Sequence, residues 1–218
     1  HSYVISRWGA TGEKKVALTF DDGPDPKITP QILDILKEKG VPATFFTIGL
    51  NTNLNPGLVQ REYNEGHEIG NHTYTHPNIE KILSQQLRLE LDTNERLLEG
   101  VIQRKSLLFR PPYSEDIEPE SPSQVGPIEY TSRLGFYTVA MHVDPKDWNS
   151  PGTKAIVDQT VGAVTSGAGS IVLLHDGGGN RNQTISALPQ IIDKLKSDGY
   201  SFVTVSGLAG LSRDEFMP

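Results

Sequence analysis

Two adjacent carboxylates, Asp21 and Asp22, are the side chains in this sequence best suited to do chemistry. They follow Val16-Ala17-Leu18, an apolar run typical of a buried strand, and Gly23-Pro24 then breaks regular structure. Because neighbouring side chains on an extended chain point to opposite sides, the two carboxylates can serve different partners. One could hold a metal ion while the other moves a proton. The alternative is a solvated turn, since Asp-Gly-Pro is common turn chemistry.

The second candidate is a histidine pair, His72 and His76, four residues apart. On one helical turn or in a tight loop, both imidazoles can face one ion. The spacing alone is a modest signal, because surface histidines often recur at this interval. Combined with one carboxylate, two histidines leave coordination positions open, which favours a catalytic metal site over a structural one.

The segment from Arg110 to Tyr113 contains two consecutive prolines. Arg110 could form a surface salt bridge and nothing more. The prolines stiffen the loop, however, so that the N–H of Tyr113 can be held in place near a metal, as an oxyanion requires.

Two further clusters contain Asp147-Trp148 and His175. Trp148 could be a core residue, or it could stack on a sugar at the mouth of a site. His175 follows an apolar strand, where a hydrogen-bonded core histidine is the usual outcome. Its position after a strand, like that of the Asp pair, favours an acid–base role instead.

The elements that must position these side chains follow from hydrophobic periodicity. Strands are predicted at 15–20, 43–48, 68–70, 107–109, 136–140, 170–174 and 202–205. Helices are predicted between Thr29 and Gly40, between Pro56 and Gly66, and at 83–99, 124–134, 153–165 and 184–197. The pattern leaves 49–57 and 114–127 as loops, 1–14 as a mostly polar leading segment with an apolar patch near Trp8, and 211–218 as a linker.

Seven strand-then-helix units imply a mostly parallel sheet with helical crossovers. They are too many for a flavodoxin-like sheet and one short of a complete barrel. We therefore expect an α/β fold, a distorted or incomplete (β/α)7–8 barrel, in a single domain over residues 1–218. In a parallel barrel the carboxyl ends of the strands open onto one face, where all the clusters above would meet.

Composition narrows the possible partners. The 218 residues are 36% hydrophobic and 22% charged, with a net charge of -7 and no Lys/Arg cluster, so we do not expect nucleic-acid or anionic-membrane binding. The chain has no cysteine, so a metal site must use His, Asp or Glu. No apolar run approaches the roughly 18 residues of a membrane span. These features are compatible with an exported bacterial protein.

In this order, the clusters resemble the motifs of the polysaccharide deacetylases with the NodB-homology domain, carbohydrate esterase family 4. The matching segments are 19–24 (TFDDGP), 72–76 (HTYTH), 110–113 (RPPY), 144–148 (DPKDW) and 173–175 (LLH). The resemblance covers about residues 15 to 205, and no catalytic position departs from it.

This resemblance implies a divalent metal held by Asp22, His72 and His76. Zn²⁺ suits that ligand set, and so do Co²⁺ and Mn²⁺. It further implies Asp21 as the general base and His175 as the general acid in the hydrolysis of an acetamide.

The remaining motif residues would support this chemistry. Arg110 would orient the general base, and Asp147 would act on the general acid or on Arg110. The N–H of Tyr113 would bind the oxyanion, while Tyr113, Trp148 and Leu173 would line the pocket for the acetyl group and sugar.

The implied activity is metal-dependent removal of N-acetyl groups from an N-acetylglucosamine polymer or oligomer, such as chitin, peptidoglycan or poly-N-acetylglucosamine. One alternative is an O-acetyl esterase acting on xylan. A second is a catalytically silent glycan-binding module, although silent members usually lack one of the paired aspartates or histidines. The expected location is extracellular or on the bacterial cell surface.

Overall fold

A parallel sheet, curled into most of a barrel, forms the centre of the protein. The computed structural model describes residues 4–5, 13–113 and 122–218. Within these ranges the strands are β1 (Val4–Ile5), β2 (Lys15–Asp21), β3 (Thr44–Thr47), β4 (Glu68–Asn71), β5 (Leu108–Phe109), β6 (Tyr137–Val139), β7 (Ile171–His175) and β8 (Ser201–Phe202). Each pairing between them is parallel, so the predicted distorted (β/α) barrel is confirmed.

Among the described residues, one isolated bridge closes the barrel. The strands run in the order β1-β6-β5-β4-β3-β2-β7, and β8 pairs with the start of β2. Val143, beyond the end of β6, bridges to Val172 of β7, and Leu173 N donates to Val143 O over 2.8 Å. A short irregular segment therefore closes the ring where a complete barrel has a paired strand.

The alternation of β2 divides its residues between two cores. Val16, Leu18 and Phe20 face outward into the cluster under the helices, whereas Ala17 belongs to the inner cluster of the barrel. Because side chains alternate along a strand, Asp21 shares the inner face with Ala17 and lies at the carboxyl end. The alternation of side chains along β2 therefore places the carboxylate of Asp21 at the mouth of the barrel.

Most of the helices cover the outside of the sheet, and the last two, which are short, close one end of the barrel. The helices are α1 (Thr29–Lys39), α2 (Gly49–Leu54), α3 (Pro56–Asn64), α4 (Ser84–Ile102), α5 (Pro122–Arg133), α6 (Thr153–Thr165), α7 (Asn182–Ser197), α8 (Val205–Leu208) and α9 (Arg213–Phe216). The predicted helix at 153–165 coincides with α6, and Gly40 ends α1 in a left-handed conformation with φ 60°. No helix in the described part of the chain is apolar over the length that a membrane crossing needs.

Three assignments made from the sequence pattern are wrong. The segment 49–57 contains α2, whose first two N–H groups donate to the carbonyls of Thr73 and Tyr74 rather than lying in a free loop. The strand expected at 202–205 ends at Phe202, because Thr204 caps α8 by accepting a hydrogen bond from Gly207 N. Residues 122–123, expected in a loop, lie in α5, as do 124–127, where the predicted loop and the predicted helix overlapped. Residues 114–121 lie outside the described residues.

The two ends of the chain also differ from expectation. The segment 211–218 is not a linker: Phe216 and Met217 are buried, and Leu107 N donates to Phe216 O over 2.8 Å. Val4–Ile5, predicted within a polar leading segment, is a strand paired with β6. The apolar patch near Trp8 lies outside the described residues.

Candidate metal and acid–base site

Asp21 and Asp22 lie on the same side of the chain, contrary to the alternation expected of a strand. The backbone of Asp22 is left-handed, with φ 73°, which turns its carboxylate back toward the barrel mouth. Its Oδ1 lies 3.4 Å from His72 Nε2 and 3.2 Å from His76 Nε2. Oδ2 of Asp21 lies 3.8 Å from the same His72 nitrogen. Both carboxylates therefore border one small space.

Asp22, His72 and His76 form a cluster of three potential ligands. One donor atom from each lies within 4.8 Å of the others, and among the described residues no other such group of three is found. Burial alone would raise the pKa of Asp22, but hydrogen bonds from both histidines and the charge of His72 hold it well below its usual range. One carboxylate facing two imidazole nitrogens is a donor set that fits Zn²⁺ or a similar divalent ion.

A backbone hydrogen bond fixes the orientation of His72. Its Nδ1 lies 2.7 Å from the carbonyl oxygen of Arg110, and a carbonyl can only accept. Nδ1 is therefore protonated, and Nε2 is left facing Asp22. This arrangement, in which the second ring nitrogen donates to a carbonyl, is the usual support of a metal-ligating histidine.

A fully buried guanidinium holds Asp21. Nη1 of Arg110 donates to Asp21 Oδ1 over 2.8 Å and to Thr19 Oγ1 over 2.6 Å, and its Nε donates to Val139 O over 3.2 Å. The guanidinium also lies 4.2 Å from the ring centroid of Phe46. Because Oδ1 of Asp21 is bound in this way, Oδ2 is the oxygen that faces the cluster.

His175 lies next to Asp21 on the neighbouring strand. It is the register partner of Asp21 on the adjacent strand, and its Nδ1 lies 2.7 Å from Asp147 Oδ1. Asp147 Oδ2 accepts from His175 N and from Thr184 Oγ1, over 3.0 and 2.7 Å. Burial would lower the pKa of His175, but the hydrogen bond and charge of Asp147 outweigh it and raise that pKa.

The site opens to solvent through a cleft of about 350 Å³. The ring of Tyr113 packs edge-on against His76, with centroids 4.7 Å apart, and places Tyr113 beside the ligand cluster. Trp148 is 42% exposed at the rim, and Leu173 is buried in the wall. An apolar wall next to polar groups suits a flat, partly apolar ligand such as a sugar ring.

Three residues that the sequence analysis did not single out also line the cleft: Met141, Gly178 and Arg181. The φ of Gly178 is 72°, and a β-carbon there would lie 2.6 Å from Asp22 Oδ2. Arg181 is almost fully buried, and its Nε donates to Gly177 O over 2.9 Å. The three successive glycines after Asp176 are the feature of the sequence that could have indicated this part of the cleft, because such a run permits close backbone approach.

Comparison with known proteins shows which family the chain belongs to. The polysaccharide deacetylase family profile matches residues 9–136. A peptidoglycan-N-acetylglucosamine deacetylase of Bacillus cereus is 43% identical over 200 residues, which cover 90% of this chain and 88% of that protein. A chitooligosaccharide deacetylase of Sinorhizobium fredii is 37% identical over 87% of this chain and 89% of its own length.

A solved structure extends the likeness to three dimensions. The peptidoglycan N-acetylglucosamine deacetylase Bc1960, crystallised with an N-hydroxybenzamide compound, superposes with a TM-score of 0.86 at 36% identity and covers 98% of this chain and 95% of that one. The fold, the family profile and the relatives define a class of carbohydrate-acting hydrolases. The chain belongs to the polysaccharide deacetylase family.

Proposed function

We propose that this protein is a metal-dependent N-deacetylase of glycans that contain N-acetylglucosamine. The observation that carries the proposal is the convergence of Asp22, His72 and His76, with Asp21 beside them and His175 next to Asp21 on the neighbouring strand. The activities in the names of the relatives, on peptidoglycan and chitooligosaccharide, support this substrate class.

Asp22, His72 and His76 are the proposed ligands of a divalent ion, with Zn²⁺ first and Co²⁺ or Mn²⁺ also suited to the set. The bound ion would act as a Lewis acid toward the acetyl carbonyl and the attacking water. The protein holds the imidazole of His72 through its backbone bond to the Arg110 carbonyl, which makes Nε2 the donor atom.

Asp21 is the proposed general base. Arg110 binds its Oδ1, so Oδ2 takes the proton from water as the water oxygen bonds to the acetyl carbon. The N–H of Tyr113 is the proposed protein donor to the oxyanion, since the residue packs beside the cluster.

His175 is the proposed general acid. Its Nδ1 is bound by Asp147, so Nε2 carries the proton toward the cleft. An amine leaves poorly unless it is protonated, so transfer from His175 to nitrogen accompanies cleavage of the C–N bond. Acetate and a free amino sugar are the products, and the proton taken by Asp21 restores the protonated imidazole. Trp148 and Leu173 are proposed to contact the sugar and the acetyl group.

We further propose that residues 1–218 form one domain and that the protein acts outside the cell or at the bacterial cell surface. One curled sheet links strands from Val4–Ile5 to Ser201–Phe202, which supports a single folding unit. The peptidoglycan substrate named for one relative lies outside the cytoplasmic membrane, which supports the location.

The test is acetate release from a panel of acetylated glycans: chito-oligomers, peptidoglycan fragments, poly-N-acetylglucosamine and acetylated xylan. We expect acetate and free amine from the N-acetylated glycans, loss of both after chelation, and recovery on adding Zn²⁺ or Co²⁺. Acetate from xylan alone would assign an O-acetyl esterase. Binding of chito-oligomers without any acetate, at saturating metal, would assign a silent module.

A further inference from the structure

The loop that carries the two histidines has an unfavourable backbone. Thr73 and His76 both have positive φ, 67° and 61°. A β-branched residue such as Thr73 is a genuine outlier in that region, because its side chain crowds the backbone. Conformations of this kind persist only where neighbouring structure holds them. The loop therefore depends on contacts from outside itself.

Glu90 of α4 supplies one set of these contacts. Its Oε2 accepts from the backbone N–H groups of Tyr74 and Thr75, over 3.0 and 2.7 Å, and its Oε1 accepts from Thr75 Oγ1 over 2.7 Å. The side chain is only 9% exposed. One buried carboxylate thus binds three donors in the segment between His72 and His76.

Asn94, one turn further along α4, supplies the other set. Its Nδ2 lies 2.9 Å from Thr47 O and 3.1 Å from Thr73 O. It also lies 3.1 Å from Asn71 Oδ1, which itself accepts from Thr73 N over 2.8 Å. Residues four apart on a helix share a face, so α4 holds both halves of the loop from one surface.

We propose that Glu90 and Asn94 are positioning residues that set the relative placement of the His72 and His76 imidazoles and thereby the affinity for the divalent ion. This inference rests on the proposed metal site. Groups behind a ligand typically change metal affinity by about 10- to 100-fold when removed. Glu90 and Asn94 act through the loop backbone, in contrast to Arg110, whose carbonyl binds a ligand ring directly.

The experiment measures the dissociation constant of Co²⁺ for the apo-protein by visible absorption, together with the apo-protein melting temperature. The variants are Glu90→Leu, Glu90→Gln and Glu99→Leu, the last an exposed glutamate on the same helix. We expect Glu90→Leu to bind Co²⁺ about 10- to 100-fold more weakly. Glu90→Gln keeps the three contacts, since its amide oxygen accepts from both N–H groups and its NH₂ donates to Thr75 Oγ1, so it binds close to wild type. Glu99→Leu binds as wild type.

Two results would overturn the positioning role: unchanged Co²⁺ affinity in Glu90→Leu, or an equal loss in Glu90→Gln, which would assign the effect to charge. Wild-type protein that takes up no Co²⁺ would instead contradict the metal site and the proposed function. The two failures are therefore distinguishable.

A milder variant covers the case in which Glu90→Leu does not fold. Thr75 is exposed, and Thr75→Val removes only its hydroxyl contact with Glu90. One hydrogen bond of this kind corresponds to about a 2- to 10-fold change in affinity. We expect that loss of Co²⁺ affinity in Thr75→Val and none in Thr165→Val, an exposed threonine on α6. Equal affinities in the two variants would reject the proposal.

Discussion

The two ends of the barrel differ in composition and in backbone strain. At the carboxyl ends of the strands, charged side chains are held close together, and Asp22, Thr73, His76 and Tyr113 all have positive φ. At the other end, α8, α9 and the last residues close the barrel with apolar side chains, among them Val205, Leu208 and Phe216. The difference indicates that apolar packing, at the closed end and under the outer helices, holds the strained and polar geometry of the open end in place.

Removing the proposed base, at the open end, should produce the largest loss of activity among these variants. Asp21→Asn keeps the size of the side chain but cannot take a proton from water. We expect kcat to fall by about 10²- to 10⁴-fold while the protein still binds Co²⁺. The melting temperature also falls, because the buried Arg110 guanidinium loses its charged partner. Acetate release is the measurement, and Asp193→Asn, in an exposed ion pair with Lys39, is the control. Retained activity in Asp21→Asn would assign the base elsewhere.

Phe216→Ala, at the closed end, should lower stability and leave kcat unchanged. The ring is buried in the inner cluster and packs edge-on against Tyr137, with centroids 5.2 Å apart. Truncation of such a ring costs about 3–5 kcal/mol of the free energy of unfolding. We expect that loss in urea denaturation, with normal kcat per folded molecule at low temperature, whereas Leu211→Ala, partly exposed, changes little. A loss of kcat without a loss of stability would contradict the separation of packing at the closed end from catalysis at the open end.

Asp147→Asn tests the acid side of the site. Asp147 raises the pKa of His175, and the protonated form is the one that acts, so activity is lost as pH rises through that pKa. Without the charge the pKa falls, and the alkaline limb of the kcat/KM profile moves to lower pH. Hydrogen bonds to charged groups contribute about 1.5–3 kcal/mol, so the maximum rate should fall by about 10- to 100-fold. An alkaline limb that stays in place would mean that Asp147 does not set the pKa of the general acid.

Gly23→Ala addresses how tightly the open end is packed. A β-carbon at Gly23 would lie 2.1 Å from Asp176 Oδ2, and Asp176 is itself bound by Thr29. Overpacking of this kind costs about 1–3 kcal/mol. We expect a lower free energy of unfolding in urea, whereas Gly57→Ala, with open space around it, has no such clash. Equal stability of the two variants would show that Asp176 moves aside freely.

The smallest effect is expected at the rim. Trp148 is 42% exposed and lines the mouth of the cleft. Aromatic contacts contribute about 0.5–1.5 kcal/mol beyond buried area, so Trp148→Ala should raise KM for chito-oligomers about 2- to 10-fold with little change in kcat. Steady-state kinetics checks this. A fall in kcat with constant KM would mean that Trp148 shapes the reacting geometry instead.

Much of the fold could be predicted from local pattern. Strong periodicity located α4 and α6, and the apolar runs located the inner strands, because burial on both faces leaves a continuous hydrophobic signal. The closing elements were missed, since Phe216 and Met217 are isolated apolar residues in a polar stretch. Their burial depends on a barrel that forms from distant segments.

The candidate site could be assembled from motif order and strand ends, but its geometry could not. Alternation predicts opposite directions for Asp21 and Asp22, and only the left-handed backbone of Asp22 brings them together. Arg181 gave no signal of its own, because its place in the cleft depends on the turn at Gly178. Positive φ is uncommon at residues other than glycine and is a genuine outlier at a β-branched residue such as Thr73, so local sequence pattern does not predict it there.

The most direct test of the account is an anomalous difference map from crystals grown with Zn²⁺ or Co²⁺. We expect one strong peak about 2.0–2.2 Å from a carboxylate oxygen of Asp22 and from Nε2 of His72 and His76, with Asp21 close by but not coordinated. A peak at another position, or one in which Asp21 replaces Asp22 as ligand, would contradict the account.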